Sequence, residues 1–244
     1  MRNFPLGRRW WLVLWLVPLA VPFVLSDYLL RLAILSTFVV VLAVSLNILF
    51  GYTGQASLAH AAFYGAGAYL SALLVAGFEI PVVAGIITAT VAVGAVSLLV
   101  GWPVLRASGL YFSIITLAFS VVVFELLNSW REVTGGPIGL RGVPELLSTD
   151  GEMFLLIYVV LLAILVFKRA LIASYVGKAF LAIREDEELA AEMGIRTHRY
   201  KTLSFVLAST IAGLAGALFA HYSGFLAPSM FTTFRSFELF VVVV

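Results

Sequence analysis

Ten residues, Gly51-Tyr52-Thr53-Gly54-Gln55-Ala56-Ser57-Leu58-Ala59-His60, set a phenol, two hydroxyls, an amide and an imidazole between two apolar runs, with no charge among them. Such a set can exchange hydrogen bonds with a polar solute, but it offers no nucleophile. Nowhere in the chain do a nucleophile and a base share a face, and neither the 3 His nor the 13 Asp/Glu fall at metal-ligand spacing. Hydrolytic, transfer and metal chemistry therefore have no candidate residues. Gly51 and Gly54 interrupt helical continuity. Irregular backbone at membrane depth persists only where it is buried in protein or lines a watery cavity, and transporters place broken helices at their binding sites. A plain turn at the membrane surface accounts for the same residues equally well. Asn47, His60 and His221 read more readily as polar groups bonding across helices than as ligands. Glu125, one turn from a span boundary, reads as an acid that reaches water.

A second polar stretch, Ala173–Ile195, is the longest interruption in an oily chain, with Lys168, Arg169, Arg196, Arg199 and Lys201 clustered at its ends. Basic clusters beside membrane segments mark the cytoplasmic side. Within the stretch, Asp186 can cap a short helix, Glu187 and Glu188 fill its first turn, and Gly194 can end it. Eight residues of helix are about 12 Å long, enough to dock and too short to span. A solvated linker helix is the bland reading. Gly177-Lys178 lacks the upstream glycine and following hydroxyl of a phosphate-binding loop, and no buried relay of acids suggests a proton-driven carrier. Work must come from outside the chain.

The elements that position these stretches are apolar helices. The 244 residues are 62% hydrophobic and only 11% charged, against about 25% charged in soluble domains. Runs of about 20 apolar residues define an all-α, polytopic helical membrane protein, and their continuity excludes a β-barrel, whose strands alternate. The predicted spans are Trp10–Leu25, Leu29–Phe50, Ala61–Gly77, Val82–Gly101, Leu110–Asn128, Met153–Phe167 (extendable to Ala173) and Leu203–Tyr222, with Phe237–Val244 beginning an incomplete eighth. Arg2, Arg8 and Arg9 ahead of the first span make it an uncleaved anchor with a cytoplasmic N-terminus. Residues 1–244 form one membrane domain, with 173–200 a cytoplasmic loop and 129–152 an extracytoplasmic one. This topology puts four of the 15 Lys/Arg (Arg31, Arg131, Arg141, Arg235) outside and the other eleven inside. Parity and charge bias thus agree. Strips of small residues, Ala208/Ala212/Gly216/Ala220 and Ala68/Ala72/Ala76, suit close helix packing. There is no cysteine, no internal repeat, and no basic concentration suited to nucleic acid; dispersed loop cations are explained by topology.

Several blocks also resemble a known family. N-I-x-x-G-Y-T-G-Q-x-S-L-x-H-A-A-F-Y-G-x-G-A-Y (Asn47–Tyr69), G-L-Y-F-x-I-I-T-L-A-F (Gly109–Phe119), N-S-W-R-E-V-T-G-G-P-x-G-L (Asn128–Leu140), G-K-A-x-x-A-I-R-E-D-E-x-x-A-x-x-x-G-I (Gly177–Ile195) and A-G-L-A-G-A-L (Ala212–Leu218) are similar, in the same order, to blocks of the permease subunits of branched-chain amino-acid ABC importers, the LivM type. The resemblance implies a solute pathway lined in part by Asn47, Tyr52, Thr53, Gly54, Gln55, Ser57 and His60. It makes the second stretch the coupling helix of an ATPase groove, with Gly177, Ala182, Ile183, Arg184, Glu185, Asp186, Glu187, Glu188, Ala191, Gly194 and Ile195 as candidate coupling residues. It implies a second permease subunit, two ATP-binding subunits, an extracytoplasmic binding protein delivering a small amino acid, and residence in a bacterial or archaeal inner membrane. No cofactor and no enzymatic activity of the chain itself are implied. Family members often carry an acid and an arginine after L-A-F, where this chain has Val121 and Phe124, with Glu125 displaced. Permeases for urea or short amides remain open, as does a carrier driven by an ion gradient.

Overall fold

The computed structural model describes residues 21–243. The N-terminal basic residues and the predicted first span, up to Ala20, lie outside them. The helices are α1 (Val21–Val24), α2 (Asp27–Leu46, widening into a π-turn at Asn47–Gly51), α3 (His60–Phe78), α4 (Val82–Val104), α5 (Gly109–Ser129), α6 (Arg131–Thr134), α7 (Asp150–Ala173), α8 (Tyr175–Glu185), α9 (Glu187–Glu192), α10 (Thr197–Ser223) and α11 (Thr233–Val243). Among the described residues six stretches are long and apolar enough to cross a bilayer: Asp27–Gly51, His60–Phe78, Val82–Val104, Gly109–Ser129, Asp150–Ala173 and Thr197–Ser223. They coincide with the predicted second to seventh spans. The chain is an all-α polytopic membrane protein, apart from one antiparallel pair of two-residue strands, β1 (Leu140–Arg141) and β2 (Phe225–Leu226), with Leu140 opposite Leu226.

One expectation is corrected, and two stretches gain detail. Within 173–200, α8 packs Ala179, Phe180 and Ile183 into the bundle ahead of α9, the short capped helix expected there. The segment 129–152 carries α6, a 3-10 turn at Gly136–Ile138 and β1. The last helix begins at Thr233, four residues before the predicted start, so Arg235 is helical and not a loop residue.

The core is the pair α3 and α10. A Cβ added at Gly216 would lie 1.9 Å from the Tyr64 carbonyl oxygen, and one at Gly67 would lie 2.1 Å from that of Gly213. The two backbones therefore touch, the arrangement small residues permit where lipid supplies no hydrophobic drive. Ala208, Ala212, Ala220, Ala68 and Ala72 line this contact region in buried positions, while Ala76 is exposed. Helix α4 closes one side, with Gly94 against Thr210 and Gly101 against the Phe205 ring. On the other side Phe38 of α2 packs edge-on to Phe219 of α10 at 5.6 Å, and α7 is held to α2 by an Arg31–Asp150 ion pair of 2.9 Å. Helices α5 and α7 bury only 22% of their most apolar windows, against 67% for α10, which makes them the periphery and α10 the axis. At one end, called here the loop end, His221 Nδ1 donates to the Pro144 carbonyl at 2.7 Å and Nε2 accepts from the Ser71 hydroxyl at 2.8 Å. The carbonyl can only accept, so it fixes which ring nitrogen carries the proton. The opposite end carries α8 and α9 and is called the hinge end.

Candidate functional site

Between the π-turn of α2 and the start of α3 the backbone is non-helical over residues 54–59. A helix that begins inside a bundle leaves N–H groups that need acceptors, and here they are met by hydroxyls. Thr116 of α5 accepts from Leu58 N–H (3.1 Å), Ser57 from Ala59 N–H (3.3 Å), and Ser236 of α11 from Ala61 N–H (3.0 Å). Ser113 of α5 donates to the Ala56 carbonyl at 2.7 Å. Thr53 donates to the Leu49 carbonyl at 2.5 Å and meets the Ser204 hydroxyl of α10 at 3.1 Å. Three separate helices thus hold the interruption in place.

The predicted pathway residues fall into two groups. Asn47 and Tyr52 sit with Lys168 at the hinge end: Lys168 Nζ donates to Asn47 Oδ1 at 2.6 Å and lies 5.4 Å from the Tyr52 ring centre. Gly54, at φ 70°, is exposed beside Arg184. Thr53, Gln55, Ser57 and His60 are buried. In this second group Gln55 donates through Nε2 to the Thr53 carbonyl, while its Oε1 and both ring nitrogens of His60 have no hydrogen-bond partner among the described residues. Buried polar atoms without partners are rare and costly, and His60, which is 1% exposed, holds two of them. Glu125 is exposed on α5.

The hinge end is built by short-range rules. Asp186 accepts from Leu189 N–H at 3.0 Å and caps α9. Gly194, at φ 85°, follows the last turn; Ile195 N–H bonds the Ala190 carbonyl and Gly194 N–H the Ala191 carbonyl, both at 3.0 Å. That is a Schellman termination, and the positive φ favours glycine. Gly177 lies in the tight corner between α7 and α8, where a Cβ would come 2.4 Å from Ile172 Cα. Ile183 is buried and Ala182 partly so, whereas Glu185, Glu188 and Ala191 are exposed beside Leu189 and Met193, which are 55% and 78% exposed. Helix α9 therefore presents a small apolar knob ringed by carboxylates.

Two contacts join α8 and α9 to the interruption and to the helix beside it. Arg184 Nη1 donates to the Gly51 carbonyl at 2.5 Å. Glu187 Oε1 pairs with Lys201 Nζ of α10 at 2.6 Å, and the Lys201 side chain is only 3% exposed. One turn along α10 from Lys201 lies Ser204, the partner of Thr53. The sequence reading took Lys168 and Lys201 only as cations that mark a membrane side, and did not single out Ser204, Thr116 or Ser236. For Lys201 a signal existed, because 201, 204, 208 and 212 share one helical stripe, so this lysine falls on the buried face.

Helices of this kind, with an interrupted neutral stretch and a capped knob at the hinge end, define a polytopic helical membrane protein. The family described as branched-chain amino acid transport system / permease component matches residues 28–244. The chain is 30% identical over 252 residues to the high-affinity branched-chain amino acid transport system permease protein LivM of Escherichia coli (strain K12), covering 91% of this chain and 59% of that protein. It is likewise 30% identical over 263 residues to LivM of Salmonella typhimurium (strain LT2), covering 96% and 62%. LivH of the same Salmonella strain is 25% identical over 215 residues, covering 77% and 68%. The chain thus spans about six-tenths of the length of the LivM relatives. No solved structure matches it significantly. The chain belongs to the branched-chain amino acid permease family.

Proposed function

We propose that the chain is the transmembrane permease subunit of an ATP-driven importer of branched-chain amino acids. The hinge end and the N-terminus face the cytoplasm, and the loop end receives solute from an extracytoplasmic binding protein. Beyond the six described spans come the predicted Trp10–Leu25 and an incomplete one that begins with α11, about eight within these residues. The complex also holds a second permease subunit and two ATP-binding subunits, in a bacterial inner membrane. Uptake follows the neutral stretch Tyr52–His60, where His60 and Gln55 have hydrogen-bonding capacity to spare.

The observation that carries this reading is the double tie of α8 and α9 to the interruption and to the helix beside it, Arg184 to Gly51 and Glu187 to Lys201. A partner that grips Leu189 and Met193 and moves α9 pulls on both sides of the stretch at once. The α2 side is reached through the Gly51 carbonyl, and the α10 side through Lys201 and Ser204. ATP-driven closure of two nucleotide-binding subunits supplies such a pull, and the chain itself hydrolyses nothing.

The test is to reconstitute the chain with its ATP-binding subunits and binding protein in vesicles and follow leucine-stimulated ATP turnover. Arg184→Glu removes the tie to Gly51. Gly194→Pro removes both an N–H that is bonded and a φ that proline cannot reach. Each is expected to lower stimulated turnover by about tenfold or more, an ordinary size for a coupling energy. Unchanged stimulation in both variants, or leucine uptake by vesicles holding this chain alone, would sink the proposal.

A further inference from the structure

One ion pair stands apart from the rest. Arg235 and Glu238 lie on successive turns of α11, 3.0 Å apart, with side chains 57% and 46% exposed and no other partner among the described residues. Their depth follows from their neighbours. Phe231, just before α11, packs on the rings of Tyr64 and Tyr69 at 5.2 and 5.9 Å. Tyr64 lies roughly 20 Å from the loop end of α3 at 1.5 Å per residue. Phe240, beyond the pair, packs on Phe50 near the hinge end of α2 at 4.6 Å. Both charges therefore sit between the two ends of the spans, where charge facing lipid is expensive and charge facing a cavity is functional. As a surface pair it adds little stability, since such i,i+3 contacts contribute roughly 0.2–0.5 kcal/mol.

The pair opens into a groove of about 580 Å³ between α2 and α11, within the roughly 300–1,000 Å³ of small-molecule sites. One wall is apolar, with Leu35 and Val39 of α2 and Leu239 of α11; Ser36 adds a hydroxyl, and Ala61 joins the groove to the interruption through the Ser236 hydroxyl. The contents are one cation, one anion and an aliphatic wall. Their complement is a small molecule with a carboxylate and an ammonium on one carbon and a branched aliphatic chain.

We propose that this groove binds the solute itself: the Arg235 guanidinium takes the carboxylate of an α-amino acid, the Glu238 carboxylate takes its ammonium, and the α2 wall takes its side chain. The substrate class rests on the importer reading above, while the site is new to it. On binding, each charge exchanges its helical neighbour for the opposite charge on the solute, so no charge is left unpaired. A solute with only an acid or only an amine leaves Glu238 or Arg235 without compensation, and the groove selects against both.

The chain contains no cysteine, so a single introduced thiol is a unique reporter. In the reconstituted complex, Val39→Cys is to be reacted with a water-soluble maleimide in the presence of leucine, isopentylamine (no carboxylate) or 4-methylpentanoate (no ammonium). Leucine is expected to slow labelling at least several-fold, and the other two to do little. Added to that background, Arg235→Gln should weaken protection by leucine about thirtyfold, the lower end for truncating one partner of a charge pair, and should admit isopentylamine. Glu238→Gln should instead admit 4-methylpentanoate. The exchanged variant Arg235→Glu/Glu238→Arg keeps the charge balance and should retain leucine protection, and it decides the matter where a single variant does not fold. A thiol that never labels, whether covered by lipid, another helix or a second copy, overturns the proposal. So does labelling indifferent to leucine, or equal losses for all three probes. Leucine protection without ATP-driven uptake would sink the importer reading and leave the site standing; uptake without protection would do the reverse.

Discussion

The chain leaves the helix twice at the depth of the bundle, and the two departures are managed by opposite means. Between Gly51 and His60 the freed N–H groups are met by neutral hydroxyls lent by α5 and α11 and by Ser57 itself. Between Gly224 and Thr232 the backbone is paired with itself, through β2 against β1 and through Val143 N–H to the Gly224 carbonyl, and the charges come only afterwards, on α11. The first departure is tied to the hinge end by Arg184 and Lys201. The second is tied to the loop end, where His221 holds Pro144 and Leu146. One region is thus connected to the hinge end, the other to the loop end. They meet at the bond between Ser236 and Ala61.

Both regions lean on the α3–α10 contact, so the largest expected effect removes it. Gly216→Leu forces a side chain where the Tyr64 carbonyl already leaves no room for a Cβ, and should abolish folded protein, read as lost yield and a lost thermal transition. The next separates the two regions. Glu187→Gln leaves Lys201 charged, buried and unpaired, a loss of about 3–5 kcal/mol, and Lys201→Met in the same chain should recover most of it; unfolding in graded denaturing detergent reads both. Amide exchange at Leu146, in the loop-end region, should not change in either variant that folds. The smallest is Thr116→Val, which strips Leu58 N–H of its acceptor at about 1–3 kcal/mol. Faster exchange at Leu58 with Ala61 unaltered would show that the hydroxyls act singly; faster exchange at both would show that they act together.

How much of this was legible before any coordinates depended on the range of the interaction. The cap at Asp186 and the termination at Gly194 were readable because both are set within a few residues, and the spans were readable because lipid enforces length and apolarity. Helix α8 was missed as a helix. Its polar composition reads as loop, although Val176, Phe180 and Ile183 already mark one face. Arg235 was read as a loop residue, whereas it lies on α11. Its position is set by Phe231 on Tyr64 and by β2 against β1, contacts about 170 and 85 residues apart along the chain, beyond the reach of local patterning. The partner of Asn47, Lys168, was hidden for the same reason, 121 residues away.

The absence of any side-chain layer where Gly67 and Gly216 meet the facing backbone has a mechanical consequence. Interlocked side chains can ratchet past one another by changing rotamers, whereas two bare backbones in contact have no such cushion and cannot shear without separating. Helices α3 and α10 therefore travel as one rigid beam, and relative motion within the bundle falls to the less buried helices around it.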